Sequence, residues 1–211
     1  AISRAVQARI ARHYGRPAHI IYPPVDTSAF APSDEVDDYY LILGRLVPYR
    51  RIDLAVEAFN RLGLPLVIAG DGRDRAALER MAGPNVRFLG RVPDEERRRL
   101  LARCRAFLWP GEEDFGIAPL EANASGRPVI AYAAGGALET VVDGVTGTFF
   151  HEQTVDALAE AVAAFDPARY DPATLRRHAE QFDVLHFKAE LARFVDQATG
   201  GGTNHEAHEG K

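Results

Sequence analysis

The chain has 211 residues, 46% of them hydrophobic and 26% charged, an ordinary composition for a globular protein. A folded chain of this length buries about 70% of its surface, so it needs no disulfide to hold its core together. The single cysteine, Cys104, excludes an internal disulfide framework and favours a reducing compartment. The formal net charge of −5 argues against binding to nucleic acid.

The beginning of the chain is polar and amphipathic. It lacks an initiator Met and the apolar core of a signal peptide, so we expect a fragment or a processed chain. No apolar run reaches the roughly 18 residues that suggest a membrane span. Ser3 is placed to cap a helix that ends near Tyr14, and residues 19–22 predict a short strand. Residues 26–38 predict a polar loop.

From residue 39 onward, apolar runs of strand length alternate with helical patterns. The strands are predicted at residues 39–43, 66–69, 86–89, 106–109, 129–132 and 148–150. The helices between them are predicted at residues 52–62, 74–81, 94–104, 117–125 and 137–143. Three further helices are predicted at residues 154–165, 173–181 and 184–196, followed by a Gly-rich tail at 199–211 that we expect to be disordered.

The strands are almost wholly apolar rather than alternating, so we expect both of their faces to be buried. Six strand–helix units in sequence predict an α/β fold with a doubly wound, six-stranded parallel sheet of the Rossmann-like type. Ligands of this architecture bind beyond the carboxyl ends of the strands.

The most informative segment is W-P-G-E-E-D-F-G-I-A-P-L-E-A, which begins at Trp109. It leaves an apolar strand, crosses an acidic loop and enters a helix, where Gly116 lets the backbone approach a ligand closely. The free N–H groups of the first helical turn suit a phosphate. Glu113 and Glu121 flank this turn, and a carboxylate there can accept hydrogen bonds from ribose hydroxyls. The alternative is a solvated acidic loop followed by a surface helix.

The spacing of Glu113 and Glu121 resembles the E-x7-E signature of glycosyltransferase family 4, a group of retaining enzymes of the GT-B fold. Five further segments resemble that family in order and spacing: residues 44–53 (GRLVPYRRID), 69–72 (AGDG), 88–92 (FLGRV), 126–131 (GRPVIA) and 135–139 (GGALE). The resemblance extends from about residue 20 to 150. It implies that the chain is one half of a GT-B fold, the C-terminal domain that binds the sugar nucleotide.

The resemblance also implies roles for individual residues. Arg45 and Arg50 would hold the donor diphosphate, although the family has Lys where this chain has Arg50, and Arg51 would share the work. Glu121 would hold the ribose, and Glu113 would be the catalytic residue beside the transferred sugar, either bonding its hydroxyls or stabilising positive charge at the anomeric carbon. The remaining donor-binding positions would be Gly44, Val92, Phe115, Gly116 and Ile117. No metal and no cofactor besides the sugar-nucleotide substrate are implied.

The reaction implied is transfer of a hexose with retention of configuration. The amino-acid sequences of the motifs most resemble those of mannosyltransferases of O-antigen type, which use GDP-mannose in polysaccharide biosynthesis. The acceptor would be a glycan or a lipid-linked sugar, held by an N-terminal domain of about 150 residues that is absent here. We therefore expect residues 1–22 to link the two halves, residues 23–198 to bind the donor, and the isolated chain to be inactive. The whole enzyme would work in the cytoplasm, at the inner face of the membrane.

Several alternatives stay open at this point. The chain could be a non-catalytic sugar-nucleotide-binding module that works with a separate partner chain, a GT-B enzyme that uses a UDP-sugar, or a GT-B epimerase or phosphorylase. No segment matches a cofactor-lysine site, which argues against the phosphorylase. We expect the charged residues 94–99 to form the solvated face of a helix. We expect Trp109 and Cys104 to pack in the core. We expect an apolar surface around Phe115 and the last helix, where the absent domain would dock.

Overall fold

The computed structural model describes residues 1–199. The Gly-rich tail that we expect to be disordered lies outside this range, except for Thr199. Six strands form one sheet: β1 (Tyr40–Leu43), β2 (Leu66–Ala69), β3 (Val86–Gly90), β4 (Ala106–Trp109), β5 (Val129–Tyr132) and β6 (Gly147–Phe150). All neighbouring strands are parallel, in the order β3-β2-β1-β4-β5-β6. The predicted doubly wound, Rossmann-like sheet is thus confirmed.

The helices lie on both faces of the sheet and around its ends. Their bounds are α1 (Arg4–Tyr14), α2 (Ile52–Leu62), α3 (Arg75–Met81), α4 (Asp94–Arg103), α5 (Ile117–Ala124), α6 (Ala137–Thr140), α7 (Val155–Ala163), α8 (Pro172–Glu180) and α9 (Val184–Ala198). The side chains of Tyr40 and Ile42 pack with α2, α3 and α7, whereas Leu41 and Leu43 pack with α4 and α5. Alternate residues of β1 therefore enter two separate cores, as the period of a strand requires.

Both faces are fully buried only in the inner part of the sheet. Every residue of β1, β2 and β4 is buried, which confirms the prediction from their apolar runs. The edge strands β3 and β6 differ, because Arg87 is exposed and the central residues of both strands are half-buried. The expectation of two buried faces is wrong for these two strands, since each has a neighbour on one side only.

The strand predicted at residues 19–22 is wrong, because residues 15–24 have no regular structure. This segment bonds to the beginning of the chain, where Ile21 N–H donates to Ala1 O at 3.0 Å. Its apolar character has another cause: Tyr22 stacks on Phe115 with ring centroids 5.5 Å apart. The helix predicted at residues 137–143 ends early, at Thr140, because the backbone of Val141 is extended.

Helix α1 is fastened to the carboxyl edge of the sheet. Ser3 caps it as predicted, its Oγ accepting from Val6 N–H at 3.1 Å. The Glu139 carboxylate, only 6% exposed, accepts from Arg4 N–H at 2.8 and 3.0 Å and from the Tyr22 hydroxyl at 2.9 Å. A carboxylate at a helix N-terminus is favoured by the helix dipole, so Glu139 holds α1 in place.

Helix α9 covers little of the core and has no buried residue. Apolar side chains are exposed along it: Leu185, Leu191, Phe194 and Val195. The predicted apolar surface is therefore present on the last helix. Phe115, by contrast, is 3% exposed and packs against Tyr22 and Phe182, so the same expectation is wrong for that residue. Within residues 1–199, no helix is both long and apolar enough to cross a bilayer.

Candidate donor-binding cleft

An open cleft of about 470 Å³ lies at the carboxyl ends of β1 and β4. The strand order reverses between these two strands, which is where ligands of doubly wound sheets bind. The cleft is lined by Ile2, Pro23, Leu43, Gly44, Arg50, Arg97, Trp109, Glu113, Asp114, Phe115, Gly116, Ile117, Ala118 and Glu121. Both glutamates of the E-x7-E pattern thus face one space.

The floor of the cleft depends on a close approach between two turns. Gly44 follows β1 with φ 140°, and Gly70 follows β2 with φ 141°. A Cβ atom on Gly70 would lie 1.8 Å from the carbonyl oxygen of Gly44, so only glycine fits there. The turn at Gly44 then leads through a short 3-10 turn, Pro48–Arg50, to α2. This path carries Arg50 back over the end of β1.

Arg50 and Glu113, which both line the cleft, form an ion pair. Arg50 Nη2 lies 2.8 Å from Glu113 Oε1, and both side chains are about one-fifth exposed, at 19% and 20%. The guanidinium also lies over the Trp109 ring, 5.1 Å from its centroid. Among the described residues, Arg50 Nε and Trp109 Nε1 are buried without a hydrogen-bond partner. Buried polar atoms without partners are uncommon in folded proteins, and a ligand bound in the cleft would supply partners for these two.

The environment of Glu113 shifts the pKa of its carboxyl group upward from the ordinary value. Burial raises the pKa of its carboxyl group, and the nearby charge of Asp114 adds to that rise. The charges of Arg50 and Arg45 act in the opposite direction without cancelling it. Carboxyl groups with such opposed influences are common at functional sites.

A glycine pair supports the loop that carries Glu113. Gly136 N–H donates to Glu113 O at 2.7 Å. A Cβ atom on Gly135 would lie 2.3 Å from Glu113 O, and one on Gly136 would lie 2.2 Å from the Cα atom of Phe115. The G-G-A-L-E segment therefore has two tasks: its glycines allow the loop to pack closely, and Glu139 anchors α1.

The N-terminus of α5 opens into the cleft. Gly116, with φ 94°, precedes the helix and supplies no side-chain cap, and Ile117 and Ala118 line the cleft. The N–H groups of this first turn and the helix dipole together suit an anionic group. Arg50 also lines the cleft, so a diphosphate would meet positive charge and free donors.

Glu121 is paired with an arginine that sequence reasoning did not place in the site. Arg97 of α4 donates from Nη1 to Glu121 Oε2 at 2.6 Å and lines the cleft. The prediction of a solvated face for residues 94–99 is wrong for Arg97. The pattern held a usable signal, because Arg97 precedes the buried Leu100 and Leu101 by three and four positions and so shares their helix face.

Two of the predicted donor-binding residues lie outside this cleft. Arg45 is exposed and does not line it, although its charge reaches Glu113. Val92 is half-buried and packs against the core formed by α4 and α5. The structure does bring together Gly44, Arg50, Glu113, Phe115, Gly116, Ile117 and Glu121. Trp109 packs as predicted and also forms part of the cleft wall.

A second, more polar cleft of about 510 Å³ lies on the other side of the acidic loop. Its lining consists of Arg9, Tyr49, Arg51, Glu112, Glu113, Asp114 and Gln153. Arg51 opens here, paired with Asp53 at 3.1 Å, and not into the first cleft. Glu113 borders both clefts, so it can contact groups bound on either side. Within residues 1–199, His, Cys, Asp and Glu side chains form no group of three that could hold a metal ion.

Comparison with known proteins shows which enzymes this chain is similar to. The family model for glycosyl transferases group 1 matches residues 26–179. The GDP-mannose-dependent alpha-(1-6)-phosphatidylinositol monomannoside mannosyltransferase of Mycolicibacterium smegmatis is 34% identical over 233 residues, which cover 94% of this chain and 61% of the relative. The D-inositol 3-phosphate glycosyltransferase of Mycolicibacterium paratuberculosis is 34% identical over 182 residues, covering 73% of this chain and 41% of the relative. The chain thus spans between two-fifths and about three-fifths of the length of these relatives.

Solved structures show the same fold at lower sequence identity. Sucrose-phosphate synthase from Thermosynechococcus elongatus superposes with a TM-score of 0.83 at 23% identity, covering 96% of this chain and 58% of that structure. The Anabaena protein Alr3699/HepE, solved in complex with UDP-glucose, superposes with a TM-score of 0.81 at 22% identity, covering 93% of this chain and 63% of that structure.

Proposed function

Because the chain belongs to the family of glycosyl transferases group 1, we propose that it is the donor-binding half of an enzyme that transfers a hexose from a sugar nucleotide with retention of configuration. The observation that carries this proposal is the convergence of Glu113, Glu121 and Arg50 on one cleft at the point where the strand order reverses. The family resemblance pointed to these residues from sequence alone. That they line one cleft is a separate observation, because it depends on the fold.

Three parts of a sugar nucleotide have a matching part of the cleft. The diphosphate lies between the Arg50 guanidinium and the N-terminus of α5, where charge and N–H groups are already in position. The ribose hydroxyls donate to Glu121, one turn further along the same helix. The transferred sugar lies near Glu113, on the border with the second cleft. The acceptor approaches from that second cleft.

Glu113 acts on the transferred sugar in one of two ways. As an ionised group it stabilises the positive charge that develops at the anomeric carbon, and in either protonation state it bonds the sugar hydroxyls. Its ion pair with Arg50 links it to the diphosphate site. Binding of the diphosphate to Arg50 therefore changes the charge balance around Glu113.

The donor we propose is GDP-mannose. Support comes from the M. smegmatis relative, whose name specifies GDP-mannose and whose match covers most of this chain. A UDP-sugar is the competing donor, and the Anabaena complex with UDP-glucose shows that this fold accommodates one. Arg50 and the α5 N-terminus supply the positive charge at the diphosphate, so we expect donor binding to persist in EDTA.

An acceptor-binding half completes the enzyme in this proposal. Residues 1–22 form the connection to it, residues 23–198 bind the donor, and the exposed apolar side chains of α9 provide a surface for contact between the halves. The acceptor is a glycan or a lipid-linked sugar, and the complete enzyme associates peripherally with the inner face of the membrane. Orientation of two reactants contributes about 7–11 kcal/mol to catalysis, so we expect no transfer by this chain alone.

A binding panel with matched variants tests the proposal. Calorimetric titration and thermal unfolding of the chain are measured with GDP, GDP-mannose, UDP and UDP-glucose. A ligand at one hundred times its dissociation constant raises the free energy of unfolding by about 2.7 kcal/mol, which gives a clear shift of the melting temperature. We expect the largest shift with GDP and GDP-mannose. A larger shift with UDP-glucose would contradict the donor assignment, and no binding of any of the four would contradict the function.

The two glutamates are separated by the same panel. Glu121→Ala should weaken GDP and GDP-mannose alike, since both contain the ribose, whereas Glu113→Ala should weaken mainly GDP-mannose. Glu112→Ala is the matched control, because Glu112 lies in the same loop but lines only the second cleft. Identical effects of Glu113→Ala and Glu121→Ala on both ligands would show that the division of roles is wrong.

A further inference from the structure

Arg97 is held at three points on the wall of the nucleotide cleft. Its Nη1 donates to Glu121 Oε2 at 2.6 Å, and its Nε donates to Asp94 Oδ1 at 3.3 Å. Its guanidinium also lies over the Phe30 ring, 5.3 Å from the centroid. These contacts come from α4, from α5 and from the loop before β1. A side chain held in this way cannot rotate freely. Among residues 1–199, Glu121 is the only cleft-lining residue whose carboxylate Arg97 contacts.

The carboxylate of Glu121 is fixed by this contact on one side only. Arg97 is the one side chain among residues 1–199 that donates a hydrogen bond to it, and the bond goes to Oε2. Oε1 has no donor in the same range, and Glu121 lines the cleft. A glutamate on a helix without such a partner samples several rotamers, and ordering one of them lowers the affinity of a ligand about two- to tenfold. Arg97 has therefore oriented the group before a ligand arrives.

We propose that Arg97 is a positioning residue for Glu121, and that it makes the site selective for nucleotides that carry both ribose hydroxyls. This inference rests on the proposed function, because it concerns the ribose position of the same cleft. With Oε2 held by Arg97, the free Oε1 and the remaining lone pair of Oε2 are presented as acceptors for two vicinal hydroxyls. A ligand without these hydroxyls makes no use of the alignment. The effect of Arg97 on binding thus passes through Glu121.

A double-mutant cycle with two ligands tests this. GDP and 2′,3′-dideoxy-GDP are titrated into the wild-type chain, Arg97→Ala, Glu121→Ala and the double variant. Arg99→Ala is the matched control, because Arg99 lies on the same helix and is paired with Glu96 at 2.7 Å but does not line the cleft. Arg97→Lys, which keeps the charge, is included as the conservative variant. Thermal unfolding without ligand shows whether each variant is folded.

We expect Arg97→Ala to weaken GDP about two- to tenfold and to change the dideoxy ligand less than twofold. In the Glu121→Ala background, Arg97→Ala should cause no further loss, and Arg99→Ala should leave both affinities unchanged. Arg97→Lys should retain part of the preference for GDP that Arg97→Ala loses. If Arg97→Ala does not fold, Arg97→Lys replaces it in the double-mutant cycle.

Each contrary result has a separate meaning. Equal losses for both ligands on replacing Arg97 would show that it contacts the nucleotide directly, which overturns the positioning role. Unchanged affinities for both ligands in a folded Arg97→Ala chain would overturn the inference while leaving the proposed function standing. A wild-type chain that binds neither ligand would overturn the proposed function, and the inference with it.

Discussion

Replacement of Arg50 by alanine is the most direct test of how the cleft holds a diphosphate. The change removes the guanidinium that lies 2.8 Å from Glu113 and 5.1 Å from the centre of the Trp109 ring. Hydrogen bonds to charged groups contribute about 1.5–3 kcal/mol each, so loss of one such contact should weaken a nucleoside diphosphate about ten- to hundredfold. Guanosine, which lacks the phosphates, should be affected far less.

The same variant should change the ionisation of Glu113. Arg50 lowers the pKa of the Glu113 carboxyl group, partly offsetting the rise caused by burial. Without Arg50 the pKa of Glu113 should rise further, because burial and Asp114 then act against a weaker opposing charge. An NMR titration of the Glu113 side-chain carboxyl carbon in both proteins measures this directly.

Two neighbouring arginines provide the controls for Arg50→Ala. Arg51 is adjacent and equally charged, but it is paired with Asp53 and opens into the second cleft. Arg45 is exposed and does not line the cleft. Calorimetry should therefore show a smaller loss for Arg45→Ala and the smallest for Arg51→Ala. Equal losses in all three variants would mean that the general positive field, not a defined contact of Arg50, attracts the diphosphate.

Three further predictions concern the packing around the site. Gly136→Ala places a Cβ atom 2.2 Å from the Cα atom of Phe115, so the chain should stay folded by circular dichroism but bind GDP more weakly; full affinity would show that the loop need not move. Glu139→Gln weakens the acceptor of Arg4 N–H and the Tyr22 hydroxyl, so amide hydrogen exchange in α1 should accelerate, and unchanged protection would show that other contacts hold the helix. Burial lowers the pKa of His178 from its ordinary 6.5, so the unfolded chain binds more protons than the folded one. The free energy of unfolding should therefore fall as the pH falls from above 6.5 through the folded pKa. Urea midpoints should show a weaker fall in His178→Gln, and an identical fall would assign the pH dependence to other groups.

The sheet could be predicted from the sequence because its inner strands are short apolar runs. The bounds predicted for β2, β4 and β5 agree with the structure, as do those of α2. A run buried on both faces needs no tertiary information to be recognised. The spacing of Glu113 and Glu121 was equally local, since a turn and the first turns of one helix separate them.

Tertiary structure decided which charged side chains meet. Arg97 and Glu121 are 24 positions apart on different helices, and their contact depends on how α4 and α5 pack. The same holds for residues 19–22, whose pattern suits a strand. In the structure the ring of Tyr22 stacks on Phe115 and that of His19 on Phe194 instead. Local pattern predicts which residues are buried, because burial follows the period of a helix or strand. It does not predict their partners, because a long side chain such as that of Arg97 can reach several neighbours. Only the packed backbone determines which neighbour lies within bonding distance.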